Sequence, residues 1–289
     1  MDKFSAVWLS HSSISTFKKC PRAYYLSTLY RDPRNNHKIN LISPSLSLGR
    51  AVHDVLESLS TLPTAERFQT SLIERLQKKW ELISGKKGGF HDLDTEARYK
   101  ARAEEMLRRV MAHPGPLSGK AVKIKQDLPN YWLSEEDGLV LCGKLDWLEY
   151  LPAQAGLESE NGVHIIDFKT GNSEEAVDSL QLPIYHLLAH NCQTWDVKKA
   201  SYWYLSREDL PTEKKLPDLD KSKELVLKAG KEIKLARQLE RFKCESGGCH
   251  HCEPFEKIIR GEAEFVGVGD YNTDLYAIFK HSLPEAIIL

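Results

Sequence analysis

The 289-residue chain lacks the features that would send it into or across a membrane. Met1 to Ser15 carries no basic segment followed by an apolar one, so no secretory leader is expected. No apolar run approaches the roughly 18 residues that a spanning helix needs. A large charge of one sign is also missing: 40 Lys and Arg stand against 41 Asp and Glu, for a net charge of −1. A protein that merely coats nucleic acid is usually basic overall, so any contact with DNA has to come from local basic patches. The chain has no G-x-x-x-x-G-K-[ST] phosphate loop, so unwinding of a duplex would fall to a separate protein. Internal repeats and low-complexity stretches are absent, and a composition of 41% hydrophobic and 28% charged residues argues against global disorder. The expectation is a cytoplasmic protein, and in that reducing compartment its six cysteines point to metal or cluster ligation rather than disulfides.

The order of elements reads as helices, a short sheet, then helices again. Ser12 and Ser13 are candidate N-caps for a helix running through Phe17 to Leu29. Ser47 to Ser60 carries Ala51, Val52, Val55, Leu56 and Leu59 at helical spacing, and Phe68, Leu72, Leu76 and Trp80 form a second apolar stripe. A further helix is expected from Ala97 to Met111. Strands are expected at Ala121 to Gln126, Leu139 to Tyr150 and Val163 to Phe168, the last nearly all apolar as a buried strand requires. Pro152 to Gly162 reads as a loose hairpin insertion. A helix from Ser179 to His190, a strand from Ala200 to Leu205 and a long helix from Ser222 to Phe242 complete an α/β or α+β domain with a helical lobe.

The sharpest chemical signal is the pair Gly143-Lys144-Leu145-Asp146 and Ile166-Asp167-Phe168-Lys169. If both stretches lie on adjacent strands, Asp146 and Asp167 converge at one end, and strand alternation puts Lys169 on the face of Asp167. Two carboxylates and a lysine suit Mg²⁺ or Mn²⁺, because hard cations take oxygen ligands and stabilise charge developing on a phosphate during hydrolysis. Upstream, Gly49-Arg50-Ala51-Val52-His53 brings an imidazole that can complete the metal shell, with Glu57 one turn later. Downstream, Gln181 and Tyr185 share a helix face and either contact the substrate or pack.

The order G-x-x-x-H, G-x-x-D, D-x-K, Q-x-x-x-Y resembles the RecB-like branch of the PD-(D/E)XK nucleases, as does Ser13-Ile14-Ser15-Thr16-Phe17 followed by Cys20-Pro21-Arg22-Ala23-Tyr24-Tyr25. The resemblance runs from about residue 10 to residue 255. It implies a restriction-endonuclease-like α/β core, a central mixed sheet flanked by helices, forming one domain over residues 1–289 with a helical insertion at 61–118. It implies that His53, Asp146 and Asp167 bind the metal, with the Phe168 carbonyl as a further ligand. Lys169 would orient or activate the attacking water, and Gln181 and Tyr185 would support the site or the strand. The implied activity is Mg²⁺- or Mn²⁺-dependent hydrolysis of DNA phosphodiesters, favouring exonucleolytic attack on single strands or ends. Repair or recombination is the expected setting, with a helicase or recombination protein as partner. CRISPR spacer acquisition is the nearest alternative, and a non-catalytic DNA-binding subunit is the rival of another class.

Cys244, Cys249 and Cys252 form Cys-x4-Cys-x2-Cys, and only Cys20 lies in a comparable motif. Cys142 and Cys192 read as small buried hydrophobes. Four thiolates suit a [4Fe–4S] cluster or a tetrahedral Zn²⁺, in which His250 or His251 can replace a cysteine. The resemblance favours the iron–sulfur cluster, with segment 244–255 closing onto Cys20. Lys231, Lys234, Arg237 and Arg241 occupy one arc of the long helix beside an apolar stripe of Leu225, Ala229, Ile233, Ala236 and Leu239. That arc either tracks a phosphate backbone or is an ordinary solvated face. The tail 256–289, with Gly261, Gly267 and Gly269 ahead of Tyr271 to Leu289, is read as an extra strand and helix packed on the domain or as a partner-binding element.

Overall fold

The computed structural model describes residues 2–153 and 160–279. The chain opens with β1 (Val7–Leu9), α1 (His11–Lys19), α2 (Pro21–Tyr24) and a π-helical turn (Tyr25–Leu29), and reaches β2 (Lys38–Ile42) and α3 (Pro44–Ser58). Helices α4 (Leu72–Trp80) and α5 (Leu93–Ala112) follow. The middle is β3 (Asn130–Ser134), β4 (Leu139–Cys142), β5 (Trp147–Leu151), β6 (Gly162–Lys169), α6 (Gln181–Cys192), β7 (Asp196–Tyr204) and β8 (Thr212–Lys214). Then come α7 (Leu219–Gln238), α8 (Glu253–Ile259), β9 (Glu264–Gly269) and β10 (Thr273–Ala277).

The central sheet runs β5-β6-β7-β8, with β6 antiparallel to β5 and parallel to β7. From Gly162 to Phe168 every residue of β6 is buried, which explains its unbroken apolar run. Ile166 and Phe168 pack against α3, α4 and α5, whereas Val163 and Ile165 share a cluster with Leu182 and Ala189 of α6. Helices therefore cover both faces, and the alternate residues Asp167 and Lys169 turn toward α6. A second sheet, β1-β4-β3, packs against α6 and α7, and a third, β2-β10-β9, brings residues 273–277 beside residues 38–42. No helix of the described residues is long and apolar enough to cross a membrane.

Several local expectations are revised. The first helix begins at His11, not beyond Ser13, because Ser10 is its N-cap and Ser13 is the reciprocal partner in a capping box. It breaks at Cys20 (φ −164°, ψ 112°), since Pro21 disfavours helical backbone in the residue before it. The expected strand at Ala121 to Gln126 is reduced to one bridge, Ala121 to Glu149; Val122 and Ile124 instead pack against the sheet's hydrophobic cluster. Leu139 to Tyr150 is two strands, β4 and β5, separated at Gly143 to Asp146. A Cβ on Gly143 would lie 3.0 Å from Leu188 Cδ1, so the break sits tightly on α6.

The buried stripe of α7 is Val226, Ala229, Gly230 and Ile233, while Leu225 and Leu239 are 51% and 62% exposed. Gly230 sets that rotation: a Cβ there would fall 2.6 Å from Leu9 Cδ1, so only glycine lets α7 lie this close to β1. Part of the expected hairpin insertion, residues 154–159, lies outside the described residues, as does 280–289 of the tail. The described part of the tail contributes β10, paired with β2 and β9.

Candidate active site

Three elements carry the carboxylate site. Ser43 caps α3 and Pro44 starts it, and Gly49 lets the helix approach the end of β6: a Cβ there would lie 3.1 Å from Thr170 Oγ1. One turn on, the His53 ring meets Phe168 edge-on at 6.0 Å. His53 Nδ1 then lies 3.4 Å from Asp146 Oδ1 and 3.8 Å from Glu57 Oε1. Asp146, at the start of β5, accepts the Phe168 N–H on Oδ2 at 2.8 Å, and this bond ties the β4–β5 break to β6 beside Asp167.

Asp167 is 2% exposed. Its Oδ1 accepts from Gln181 Nε2 at 2.8 Å. Lys169 Nζ is 3.0 Å from Oδ2, yet that oxygen has no hydrogen-bond partner of suitable geometry. Lys169 also pairs with Glu175 Oε2 at 2.9 Å, donates to Gln181 Oε1, and sits 4.8 Å above the Tyr202 ring. Gln181 Nε2 is 3.2 Å from the Tyr185 hydroxyl, so Gln181 links Asp167, Lys169 and Tyr185.

Burial, reinforced by the charge of Asp146 and opposed by Lys169, raises the Asp167 carboxyl to about 7. Burial disfavours the charged form of His53, but Asp146 and Glu57 outweigh it and lift the imidazole to about 10. For Lys169, too, burial is overcome by Asp167 and Glu175, which hold the ammonium charged. A buried acid, Asp167, that holds its proton beside a second carboxylate, an orphaned carboxylate oxygen and an imidazole fit a divalent cation, which would take the place of the Asp167 proton. Ligand atoms of His53, Glu57 and Asp146 lie within 4.8 Å of one another.

His53, Asp146, Asp167, Phe168, Lys169, Gln181 and Tyr185 are thus neighbours. Glu175 was not expected there; it lies six residues beyond Lys169 in a polar loop, and nothing in its sequence context marks it. His11 approaches from α1, where Glu175 and Lys169 act on its charge.

The other cluster joins the ends of the chain. Cys20, at the α1–α2 break, meets Cys244, Cys249 and Cys252, with all four sulfurs within 4.8 Å of one another. Left-handed backbone at Gly247 (φ 67°) turns the segment, and Cys252 N–H bonds back to the Cys249 carbonyl at 3.1 Å. Backbone N–H groups of Cys252 and His251 draw the Cys249 thiol down to about 7, whereas burial pushes Cys20 up to about 12. Arg22 clamps Glu256 at 2.6 Å beside the cluster. The His250 and His251 rings lie 3.8 Å apart, tilted by 44°, and are not members of the four-residue group. Cys142 and Cys192 are not members of it; Cys142 is buried as expected, whereas Cys192 is only half-buried, at the end of α6.

A mixed sheet with helices on both faces carries a carboxylate pair, Asp146 and Asp167, at one end of β6. The profile of the PD-(D/E)XK nuclease superfamily matches residues 8–255, and the chain belongs to that superfamily. Membership carries metal-dependent nuclease chemistry. No curated protein matches the chain.

Proposed function

We propose that this chain is a deoxyribonuclease of the RecB-like branch, hydrolysing phosphodiester bonds with Mg²⁺ or Mn²⁺ and acting on single strands or DNA ends in repair or recombination. The observation that carries the reading is the Asp146–Phe168 N–H bond, which draws Asp146 against Asp167 while Lys169 reaches the same buried acid. His53, Asp146, Asp167 and the Phe168 carbonyl would hold the cation. When bound, it polarises the phosphoryl oxygen and makes water a better nucleophile. Lys169 supplies a fixed positive charge against the extra charge of the transition state and orients the attacking water. Glu175 and Gln181 hold Lys169 in place, and Gln181 also fixes Asp167, with Tyr185 bracing it.

The test is digestion of labelled single- and double-stranded DNA by wild type, Lys169→Ala and Asp167→Ala, each purified anaerobically. The expected result is metal-dependent cutting by wild type alone. Intact wild type that binds DNA and never cuts it would return the chain to the rival role of a binding subunit.

The thiol centre is proposed to hold a [4Fe–4S] cluster as a structural clamp. A tetrahedral Zn²⁺ is the second reading, favoured by one distance. Cys249 Sγ and Cys252 Sγ are 3.7 Å apart. Bonds of about 2.3 Å to one four-coordinate ion would separate the sulfurs by about 3.8 Å. Visible absorbance and metal analysis of the anaerobic protein decide between a brown iron–sulfur protein and a colourless zinc protein.

A further inference from the structure

The carboxylate site lies between two clefts, each of about 250 Å³. The first is bounded by Glu57 of α3, the segment 122–127 and the residues leading into β5, with Asp146 in its wall. Lys123, Lys125 and Lys144 line it. All three are exposed, and among the described residues none makes an ion pair. Glu57 and Asp146 belong to the candidate metal group, which leaves Asp127 as the remaining carboxylate of that cleft. The second cleft lies across the site, between α1 and the loop preceding α6. His11, Lys18 and Lys19 line it opposite Glu175, whose charge is taken up by Lys169, and Asp178.

The segment carrying Lys123 and Lys125 explains why these side chains point outward. Val122 and Ile124 alternate with them and pack against the sheet's hydrophobic cluster. The Val122 N–H to Leu148 carbonyl bond, at 2.8 Å, pins the segment along β5. On α1, Ile14 is buried while Lys18 and Lys19 face solvent next to Cys20. The basic arc of α7 is differently engaged. Lys231 pairs with Asp137 at 3.1 Å, and Lys234 donates to the Asp137 carbonyl, so part of that arc is tied to the β3–β4 turn.

We infer that a single nucleic-acid strand crosses the carboxylate site through both clefts, its phosphates held by Lys123, Lys125 and Lys144 on one side and by Lys18 and Lys19 on the other. The inference rests on the nuclease reading and adds its substrate path. A site dense in carboxylates repels a polyanion, and free ammonium groups on both flanks offset that repulsion where the strand enters and leaves. Groups held on both sides of the scissile bond also fix its position along the strand.

The test is fluorescence-anisotropy binding of a labelled oligothymidylate over a salt series, with Mn²⁺ present and Lys169→Ala as the non-cutting background. Lys123→Ala/Lys125→Ala/Lys144→Ala and Lys18→Ala/Lys19→Ala are compared with that background, and Lys221→Ala/Lys223→Ala on α7 serves as the control. Each lost phosphate contact lowers the slope of log K against log salt by about 0.7 for a single strand, so falls of about 2 and about 1.4 are expected, and none in the control. A fall in only one set means a one-sided path and overturns the inference, as does no fall in either. If wild type, with Lys169 intact, neither binds nor cuts DNA, the nuclease reading itself fails. If it cuts while both lysine sets keep the background slope, only the path is wrong.

Discussion

At the carboxylate site each charged group has a protein partner: Asp146 has His53 and the Phe168 N–H, Asp167 has Lys169 and Gln181, and Glu175 has Lys169. At the thiol site the four sulfurs face one another, and the nearby guanidinium of Arg22 is engaged by Glu256. The first arrangement neutralises itself and can stay folded without a cation. The second would gather four thiolates beside a guanidinium already engaged by Glu256, so a metal bound there would help to hold Cys20 to segment 244–252. One centre is therefore built for chemistry and the other for closure, and substitutions should separate them.

The largest effect is expected at the closure. Cys20→Ser removes the ligand supplied by the α1–α2 break and frees segment 244–252 from the start of the chain. For so long a loop the cost is about 3–5 kcal/mol by the chain-entropy argument for cross-links. Thermal unfolding should show a large drop in Tm together with loss of bound metal. A Cys20→Ser protein that keeps the wild-type Tm would mean that the Arg22–Glu256 clamp suffices.

Lys169→Ala should do the reverse. Loss of a preorganised charge at the reacting centre costs on the order of 10²–10³ in rate. Tm should change little once the cation is bound, because that cation also neutralises Asp167. Single-turnover cleavage together with a melting curve reads both quantities. A variant that melts far below wild type while its cleavage rate is kept would show that Lys169 is structural.

Both centres also respond to pH. Without a cation Asp167 holds its proton up to about 7, against 3.8 ordinarily, so folding takes up a proton. That stabilisation is fully present below the ordinary carboxylate value and is lost as pH rises through about 7. A divalent cation replaces the proton, so the rise in Tm on adding Mn²⁺ should be small near about pH 6 and larger near about pH 8. Asp167→Asn should reduce that difference, leaving the part that comes from the proton on His53. An increment independent of pH in the wild type would mean that the cation does not take the proton's place. At the thiol centre a bound metal would likewise compete with protons, there on sulfur, and should be released on acidification.

How much of this was legible depended on how local each feature is. An α/β or α+β order followed from strand and helix periods, chiefly the apolar run of β6 and the stripes of α3 and α4, and the restriction-endonuclease-like core followed from the resemblance. The D-x-K and Q-x-x-x-Y spacings place side chains by alternation and by helical turns, and they lie together as those periods require. The Cys20 break was written in Pro21, yet helical propensity through Phe17 to Leu29 concealed it. Non-local features left no trace. The pairing of β10 with β2 joins distant segments, and Glu175 is one acid among several in a polar loop that only the fold brings to Lys169. The α7 stripe was right at Ala229 and Ile233 and wrong at Leu225 and Leu239, because the helix packs on β1 along the side of Gly230, which hydrophobic spacing does not reveal.

The smallest effect, and the finest test of how α3 serves the carboxylate site, is Gly49→Ala. Alanine favours an interior helical position by about 0.5–1 kcal/mol over glycine, so α3 itself should gain. The new Cβ would stand 3.1 Å from Thr170 Oγ1, tighter than a relaxed contact, so Thr170 or α3 must give by a few tenths of an ångström; α3 is expected to be the one that moves. His53 lies one turn along the same helix, so its approach to Asp146 should loosen and kcat/KM should fall several-fold while Tm holds or rises. Removing the obstructing side chain in Gly49→Ala/Thr170→Ala should restore the rate. Recovery in the double variant would show that glycine is there for the distance between helix and strand; a rate unaffected in the single variant would show that His53 tolerates the shift, and that the first position of G-x-x-x-H matters for packing alone.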